Sequence, residues 1–214
     1  MTEFIEMSVR QFVSELSGKR PTPGGGGASA LVGAVGIALG GMVANLTIGK
    51  KKYADAEEDM KRLKVAAYRI QKELLALISK DAEAFGPLAG AYRMPTETEE
   101  ERASKMRVME AALKESALIP LEMMKRCAEA IDLLGELARK GSKLAVSDAA
   151  CGAILCKAAL QSAWLNVCVN TMSIRDRAFS ERTNEEGRKL IEAYSALADE
   201  IYAEAEYDFT RAPA

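Results

Sequence analysis

The chain has 214 residues, of which 29 are basic and 31 are acidic, and it contains no histidine. The net charge of −2 lacks the basic excess that nucleic-acid-binding surfaces show, so we expect no nucleic-acid partner. The missing histidine excludes Ser-His-Asp and Cys-His nucleophile systems, Glu-x-x-His di-iron bundles and histidine-containing zinc sites. Acid–base chemistry in this protein must therefore use carboxylates, amines or phenols.

The composition predicts an all-α fold. Hydrophobic residues make up 49% of the chain but aromatic residues only 6%, which favours close packing of helices over β-sheets. The length suits one large domain, and no long linker or internal repeat divides it. We therefore expect residues 1–214 to form a single bundle of long antiparallel helices, two of which are central and nearly uncharged.

The cysteines and the N-terminus favour a cytoplasmic protein. The four cysteines contain no Cys-x-x-Cys pair, so we expect small buried residues rather than metal or redox ligands. The N-terminus lacks the basic and apolar segments of a secretory signal, and both observations fit a reducing compartment. The cysteines are Cys127, Cys151, Cys156 and Cys168.

The N-terminal part of the chain predicts a short helix followed by a rigid and then a permissive backbone. Ser8, with Gln11 three residues later, is typical of a capping box at the start of a helix, and Gly18 ends that helix. The prolines of the segment 21–23 fix the direction of the chain. Glycines 24–27 then allow the backbone to approach another group closely.

Residues 28–48 predict a helix that is apolar on every side. No charged residue occurs from Pro21 to Gly49, and the segment is long enough to cross a bilayer. Its glycines, the polar Asn45 and Thr47, and the charge-rich remainder of the chain instead favour a helix at the centre of the bundle. We therefore expect no membrane insertion.

A third helix is predicted over about residues 55–85, and Asp81 interrupts its apolar stripe. The stripe residues recur every three or four positions, as one face of a helix requires, and Phe85 continues the face beyond Asp81. A carboxylate on such a face is withdrawn from bulk water, so it must be paired, hydrogen-bonded, protonated or catalytic. The stripe comprises Met60, Leu63, Ala67, Ile70, Leu74 and Leu77.

Prolines and capping residues predict the limits of the fourth helix. Pro87 and Pro95 are expected to end the third helix, and Thr96 with Glu99 forms a capping box that starts the fourth. A kink or break is expected within the fourth helix at Pro120.

The last two helices are also predicted from their caps. Gly141 is expected to end the fourth helix, and Ser147 to cap a fifth helix over residues 148–174. A single lysine is the only charge inside that segment, so we expect it to be buried on most faces. Thr183 is expected to start a last amphipathic helix that reaches about residue 209.

The context of two glycine motifs excludes nucleotide binding. Residues 25–30 match the G-x-G-x-x-A pattern, but Pro-Thr-Pro precedes them where a dinucleotide fold needs a strand. A Walker loop would need glycine at position 44 and serine or threonine at position 51, and the chain has Ala44 and Lys51. The free N–H groups of a helix N-terminus remain, so Gly25 and Gly26 are candidates for binding an anion or a polar ligand edge.

Two pairs of polar residues have either a structural role or a role in ligand binding. Lys50 and Lys51 either complement the dipole at a helix C-terminus or bind an anion. Asn166 and Asn170 lie four residues apart on one side of the fifth helix. They either join helices by hydrogen bonds or contact a ligand.

Five segments, in order along most of the chain, resemble the cyclodeaminase part of formiminotransferase-cyclodeaminases. That family includes stand-alone methenyltetrahydrofolate cyclohydrolases of about this size. One departure is residues 141–144 (GSKL), where an asparagine-rich turn is expected. The matching segments are residues 21–30 (PTPGGGGASA), 43–53 (VANLTIGKKKY), 80–85 (KDAEAF), 147–149 (SDA) and 163–170 (AWLNVCVN).

The resemblance implies an all-helical homodimer that acts on tetrahydrofolate one-carbon adducts without a metal or an organic cofactor. It also implies that Asp81 is catalytic, the same carboxylate that interrupts the apolar stripe. Lys50 and Lys51 are then expected to face a polyglutamate tail on the substrate. The motifs and the resemblance together give these expected substrate-binding residues: Gly25, Gly26, Asn45, Lys50, Lys51, Ser147, Asp148, Asn166 and Asn170.

The leading functional prediction is formiminotetrahydrofolate cyclodeaminase. N10 would attack the amidine carbon on N5, and ammonia would leave to give 5,10-methenyltetrahydrofolate, with Asp81 moving the proton. The alternative is methenyltetrahydrofolate cyclohydrolase, in which water attacks the methenyl carbon and 10-formyltetrahydrofolate forms. A second alternative is a non-catalytic helical scaffold, for which Lys143 in the departing turn is the evidence.

Overall fold

The structure is a computed structural model that describes residues 4–210. It contains six α-helices and three short 3₁₀ turns, at Phe4–Glu6, Lys51–Ala56 and Lys143–Ala145, and residues 4–210 contain no strand. The all-α prediction is confirmed. The helices are α1 (Val9–Leu16), α2 (Gly25–Thr47), α3 (Glu57–Tyr92), α4 (Glu99–Lys140), α5 (Val146–Ser173) and α6 (Arg177–Thr210).

The two nearly uncharged helices, α2 and α5, lie at the centre of the bundle. Helix α2 packs against α3, α4 and α5, and helix α5 packs against α2, α4 and α6. Gly36 and Gly152 face each other where α2 meets α5. A Cβ atom on Gly36 would lie 2.8 Å from the carbonyl oxygen of Gly152, and one on Gly152 would lie 2.7 Å from that of Gly36. The two backbones are therefore in direct contact.

Both central helices are long and apolar enough to cross a membrane by length and composition alone. About half of each apolar segment, Gly25–Thr47 and Lys143–Ser173, is buried against the rest of the molecule. The core helices of a bundle have this pattern, because they are covered by neighbouring helices on several sides.

The apolar stripe of α3 supplies one wall of the main core. Every member of the predicted stripe is buried, and the side chains pack on buried residues of α2 and α4. A smaller cluster closes the end of the bundle where α3 ends, and it positions the site described below. That cluster contains Leu88, Ala112, Leu113, Ala117 and Ile174, with Phe85, Met109 and Phe179 packed against it.

The expected end of α3 at Pro87 is wrong, and so is a break of α4 at Pro120; a kink at Pro120 stays a prediction. Helix α3 continues through Pro87 to Tyr92, and α4 continues through Pro120 without a break. Pro87 is exposed near the end of α3, so the carbonyl group that loses its N–H partner is close to water. Pro120 is buried among core residues, and packing along α4 offsets the lost hydrogen bond.

The predicted end of α4 and the first cap are confirmed. Ser8 accepts a hydrogen bond from the N–H of Gln11 at 3.3 Å, and the backbone N–H of Ser8 donates to Gln11 Oε1 at 2.9 Å. Gly141 is the residue that caps the C-terminus of α4.

Three other predicted helix starts are misplaced. The capping box of α4 is formed by Thr98 and Glu101, two residues after the predicted pair. Helix α5 starts one residue before its expected cap, so Ser147 lies inside it. Helix α6 begins near Asp176, whose Oδ1 accepts from the N–H of Phe179 at 3.0 Å. Thr183 lies within α6, where its hydroxyl bonds back to the preceding turn instead of capping a new one.

The prediction that all four cysteines are buried is wrong for Cys151. Cys127 and Cys156 are buried and Cys168 is partly buried, but Cys151 is exposed on α5. Because α5 is apolar on nearly every side, its composition does not distinguish the face that meets other helices from the outer face.

Candidate active site

A cavity of about 370 Å³ opens where the start of α2 meets the C-terminal halves of α3 and α5 and the middle of α4. It lies above the smaller hydrophobic cluster, which supplies Leu88 and Leu113 to its wall. Four of the predicted site residues and the predicted catalytic residue line it together. They are Gly25, Gly26, Asn166, Asn170 and Asp81.

The carboxylate of Asp81 is largely withdrawn from water in this cavity. Burial raises the pKa of Asp81, and a hydrogen bond donated by the backbone N–H of Gly27 partly offsets that rise. Within residues 4–210 no lysine or arginine forms an ion pair with it. Of the structural explanations that the sequence allowed, the salt bridge is not formed among residues 4–210, whereas the N–H of Gly27 on the neighbouring helix acts on the carboxyl group and lowers its pKa.

Gly26 is the residue that lets α2 approach this carboxylate. A Cβ atom at position 26 would lie 2.2 Å from Asp81 Oδ1 and 2.5 Å from its Cγ. Any side chain there would displace the carboxylate or the helix. The absence of a side chain brings the N–H groups at the start of α2 against Asp81, where the helix dipole favours negative charge.

Asn166 and Asn170 present hydrogen-bond acceptors to the cavity from α5. The Nδ2 group of Asn166 donates to the carbonyl oxygen of Ser162 at 2.9 Å, and that of Asn170 donates to the carbonyl oxygen of Ser116 at 2.8 Å. One N–H of each amide group is engaged in this way, and both side chains keep Oδ1 for a donor on a ligand. Each asparagine therefore bonds to a backbone carbonyl of a helix and also lines the cavity.

The remaining walls are mostly apolar, and no basic side chain among residues 4–210 lines them. Phe85, Leu88 and Tyr92 follow Asp81 along α3, and Val169 and Met172 line the cavity from α5. Apolar walls with a few fixed polar groups suit a planar ring system. Within the described part of the chain, the carboxylate of Asp81 is therefore the one charged group of the lining.

The sequence matches one family over most of its length. The model of the formiminotransferase-cyclodeaminase family matches residues 8–189. A methenyltetrahydrofolate cyclohydrolase from Methylorubrum extorquens is 41% identical over 91% of this chain and 94% of that protein. The chain belongs to the formiminotransferase-cyclodeaminase family.

Other members of the family also match this chain over most of its length. The crystal structure of formiminotetrahydrofolate cyclodeaminase from Thermotoga maritima superposes with a TM-score of 0.80 at 33% identity, over 94% of both chains. The formimidoyltransferase-cyclodeaminase of Rattus norvegicus is 29% identical over 88% of this chain, which spans only 35% of that longer protein. The family resemblance drawn from the five segments is confirmed.

The other predicted binding residues lie at the opposite end of the bundle in this protomer. Asn45 is exposed 19 residues along α2 from Gly26, a distance of about 28 Å at 1.5 Å per residue. Lys50 donates to Ser142 Oγ at 3.4 Å, and Lys51 is exposed beside it. Ser147 and Asp148 occupy the first turn of α5, about 27 Å along the axis from Asn166. Their part in substrate binding stays a prediction.

Two residues of this candidate site, Tyr92 and Ser116, are not predicted by the sequence. An end of the helix at Pro87 would leave Tyr92 outside it, although the spacing Asp81, Leu88, Tyr92 continues the stripe. Ser116 uses a backbone carbonyl to hold Asn170, and no sequence pattern marks that role.

Proposed function

We propose that this protein converts the one-carbon unit between N5 and N10 of a tetrahydrofolate derivative, with Asp81 as general base. The observation that carries the proposal is the partly buried carboxylate on the cavity wall, unpaired by any cation among residues 4–210. Burial raises its pKa and makes it a stronger base than an exposed carboxylate.

We infer that hydrolysis of 5,10-methenyltetrahydrofolate is the favoured reaction. Its support is the 41% identity, over nearly the whole of both chains, to a protein named methenyltetrahydrofolate cyclohydrolase. Water adds to the methenyl carbon, and Asp81 takes one of its protons. The protonated Asp81 then gives that proton to N5 as the bond between carbon and N5 breaks. The formyl group stays on N10, and the second water proton goes to solvent.

The second candidate is the cyclodeaminase reaction, which the sequence ranked first. Its support is the whole-chain similarity to the formiminotetrahydrofolate cyclodeaminase of Thermotoga maritima. N10 attacks the formimino carbon on N5, and Asp81 moves the N10 proton to the formimino nitrogen. A further proton lets the nitrogen leave as ammonia, and the 5,10-methenyl cation remains. The two reactions share the cation and the carboxylate.

The charge of the cavity suits that shared cation. The methenyl group is positive, and the cavity offers the carboxylate of Asp81 without a competing basic side chain in its lining. A carboxylate held close to a developing cation in a water-poor site stabilises it more than it would in water. The Oδ1 atoms of Asn166 and Asn170 can accept from N–H donors on the edge of the pteridine ring.

Two absorbance assays test the proposed function and separate the reactions. The first follows loss of 5,10-methenyltetrahydrofolate, and the second follows its formation from 5-formiminotetrahydrofolate. Turnover in the first assay supports the cyclohydrolase, and turnover in the second alone supports the cyclodeaminase. Activity in neither assay, together with no folate binding by calorimetry, would leave the non-catalytic scaffold.

We further propose that the reaction needs no metal or organic cofactor. The proton transfers above require only one carboxylate, and residues 4–210 contain no group of three or more His, Cys, Asp or Glu side chains that could hold a metal ion. Turnover is expected to survive dialysis against EDTA unchanged, and a loss that added metal restores would refute this part of the proposal.

We also propose a homodimer that uses the outer faces of α2 and α5. Val35 on α2 is 49% exposed, and Leu165 and Val169 on α5 are each 64% exposed. These side chains belong to the two nearly uncharged helices, which pack against each other, so both helices leave apolar side chains exposed. A twofold dimer covers such a face with the same face of a second copy.

We also propose that the protein is located in the cytoplasm. All four cysteines are free thiols in the structure, as a reducing compartment would keep them. Fractionation of cells that produce the tagged protein is expected to recover it with cytoplasmic markers, and recovery with membranes would contradict the proposal.

A further inference from the structure

A second cleft, of about 380 Å³, adjoins the candidate active site at the end of the bundle. Leu113 and Ser173 line both spaces, so the cleft borders the cavity that contains Asp81. Its other walls come from the first half of α4 and from the turn between α5 and α6. Three basic residues of those walls are Arg102, Lys105 and Arg175.

This end of the molecule is basic on a chain whose net charge is negative. A shallower cleft of about 680 Å³ continues from the first and adds Arg107 and Lys114, with Arg175 common to both. The two clefts together contain five basic residues and only two acidic ones, Glu110 and Asp176. We call these seven residues and the space between them the basic cleft.

Both acidic residues of the basic cleft are held by neighbours within it. The carboxylate of Glu110 accepts from the backbone N–H groups of Arg175 and Asp176, each at 2.9 Å. Asp176 pairs with Lys114 at 2.7 Å. These bonds fix the turn after α5 and leave the acidic groups occupied, so the excess positive charge remains available to a ligand.

Donors in the basic cleft are free to bind an anion. Lys105 donates to the carbonyl oxygens of Tyr92 and Met94 at 2.9 and 3.1 Å, which leaves one of its three N–H groups. The side chains of Arg107 and Arg175 form no hydrogen bond or ion pair with any residue between 4 and 210. Arginine in particular recognises carboxylates through two parallel N–H bonds.

We propose that the basic cleft binds the glutamate tail of the tetrahydrofolate substrate, an inference that rests on the proposed function. Tyr92 lines the cavity of Asp81, and its carbonyl oxygen accepts a hydrogen bond from Lys105 of the basic cleft. It lies 11 residues from Asp81 along α3, or about 16 Å at 1.5 Å per residue. With the reacting carbon at Asp81, the p-aminobenzoyl group follows α3, and the carboxylates emerge beside Lys105. The sequence instead assigned the tail to Lys50 and Lys51, which lie at the far end of this protomer.

Calorimetry with 5-formyltetrahydrofolate as monoglutamate and as triglutamate tests the inference by binding alone. The wild-type protein is expected to bind the triglutamate more tightly, and Arg107→Ala and Arg175→Ala are each expected to weaken that binding about tenfold. Arg139→Ala is the matched control, because this exposed arginine lies about 55 Å from Arg102 along the same helix. The control is expected to bind both probes as the wild type does.

The outcomes separate this inference from the proposed function. Equal wild-type affinity for the two probes, or triglutamate affinity that falls in Lys50→Ala or Lys51→Ala but not in the two arginine variants, would overturn the assignment of the basic cleft. Triglutamate preference that the arginine variants abolish would support it. If such a protein turned over neither methenyl nor formimino substrate, the inference about the tail would stand and the proposed reactions would fall.

Discussion

At the scale of single residues, the site depends on one carboxylate under two opposing influences. Burial raises the pKa of Asp81, and the Gly27 N–H at the start of α2 lowers it by a smaller amount. An ionised Asp81 is needed as a base, and burial works against that ionised form. The group that carries the chemistry therefore costs stability at neutral pH.

Replacing Asp81 with asparagine is expected to remove activity and raise stability. Turnover should fall about 10²- to 10⁴-fold, since a positioned proton transfer is lost. A pKa raised on folding contributes stability that is full at low pH and is lost as pH rises through the folded value. The variant should therefore unfold at a higher temperature than the wild type at pH 7, and the difference should vanish below about pH 4.

Assays of turnover and thermal unfolding at several pH values check this prediction together. A variant that keeps near-wild-type turnover would remove Asp81 from the mechanism. A lower melting temperature at pH 7 would show that the charged carboxylate stabilises the fold.

Gly26→Ala is expected to inactivate the protein by displacing Asp81. The added Cβ would lie 2.2 Å from Oδ1, so the carboxylate must move, and a shift of about 1 Å in a reacting group can cost about 10²-fold in rate. Gly41→Ala on the same helix is the control, because nothing lies within 4 Å of a Cβ there. Steady-state kinetics of both variants should separate them, and equal activity would contradict the role given to Gly26.

Part of the candidate site could be predicted at this scale, since Asp81 and four of the nine expected binding residues line one cavity, and the parts that could not be predicted have a physical reason. Asp81 stands out because a carboxylate on an apolar face has an energetic cost that sequence spacing reveals. Ser116 does not, because its contact with Asn170 uses a backbone carbonyl that every residue possesses. The sequence does not mark the basic residues of the cleft as functional either, because exposed charges on a helix usually do no more than interact with solvent.

At the scale of helices, the contact between α2 and α5 sets the position of the site. Gly36 and Gly152 allow the two backbones to touch, and Ser29 then donates to Ser162 Oγ at 2.8 Å nearer the cavity. This register brings Gly25 within reach of Asn166. The glycines at mid-helix therefore determine which side chains meet at the helix ends.

Gly152→Ala is expected to destabilise the protein by separating α2 from α5. A Cβ there would lie 2.7 Å from a backbone carbonyl, which cannot move independently, and overpacking of this kind costs about 1–3 kcal/mol. Gly90→Ala in α3 meets nothing within 4 Å and should stabilise the protein by about 0.5–1 kcal/mol. Urea unfolding of the two variants measures the difference, and equal free energies of unfolding would refute the packing argument.

Periodicity predicted the helices better than capping residues predicted their ends. The stripe of α3 recurs because packing requires it, so all six of its predicted members are buried. The Ser/Thr-x-x-Glu pattern occurs by chance in any charged helix, and Thr183 is one such case. Pro87 lies so close to the end of α3 that the hydrogen bond lost by continuing the helix through it has a small energetic cost.

At the scale of the whole molecule, the apolar outer faces of α2 and α5 require a partner surface. We expect a mass of twice the 23.1 kDa chain by light scattering. Val35→Glu should convert the dimer to a folded monomer, because it places a charge on that face. Leu118→Glu is the control, since Leu118 on α4 is exposed to the same extent, 49%, outside the proposed interface. A wild-type monomer, or an equal effect of both substitutions, would rule the interface out.

The central position of α2 also has a consequence for how this chain is made. Helix α2 leaves the ribosome before α5, its partner across the glycine contact, which follows about 100 residues later. At a synthesis rate of about 5–20 residues per second, an uncharged helix waits roughly 5–20 s for the surface that buries it. Helix α2 therefore needs protection from aggregation during that interval of translation.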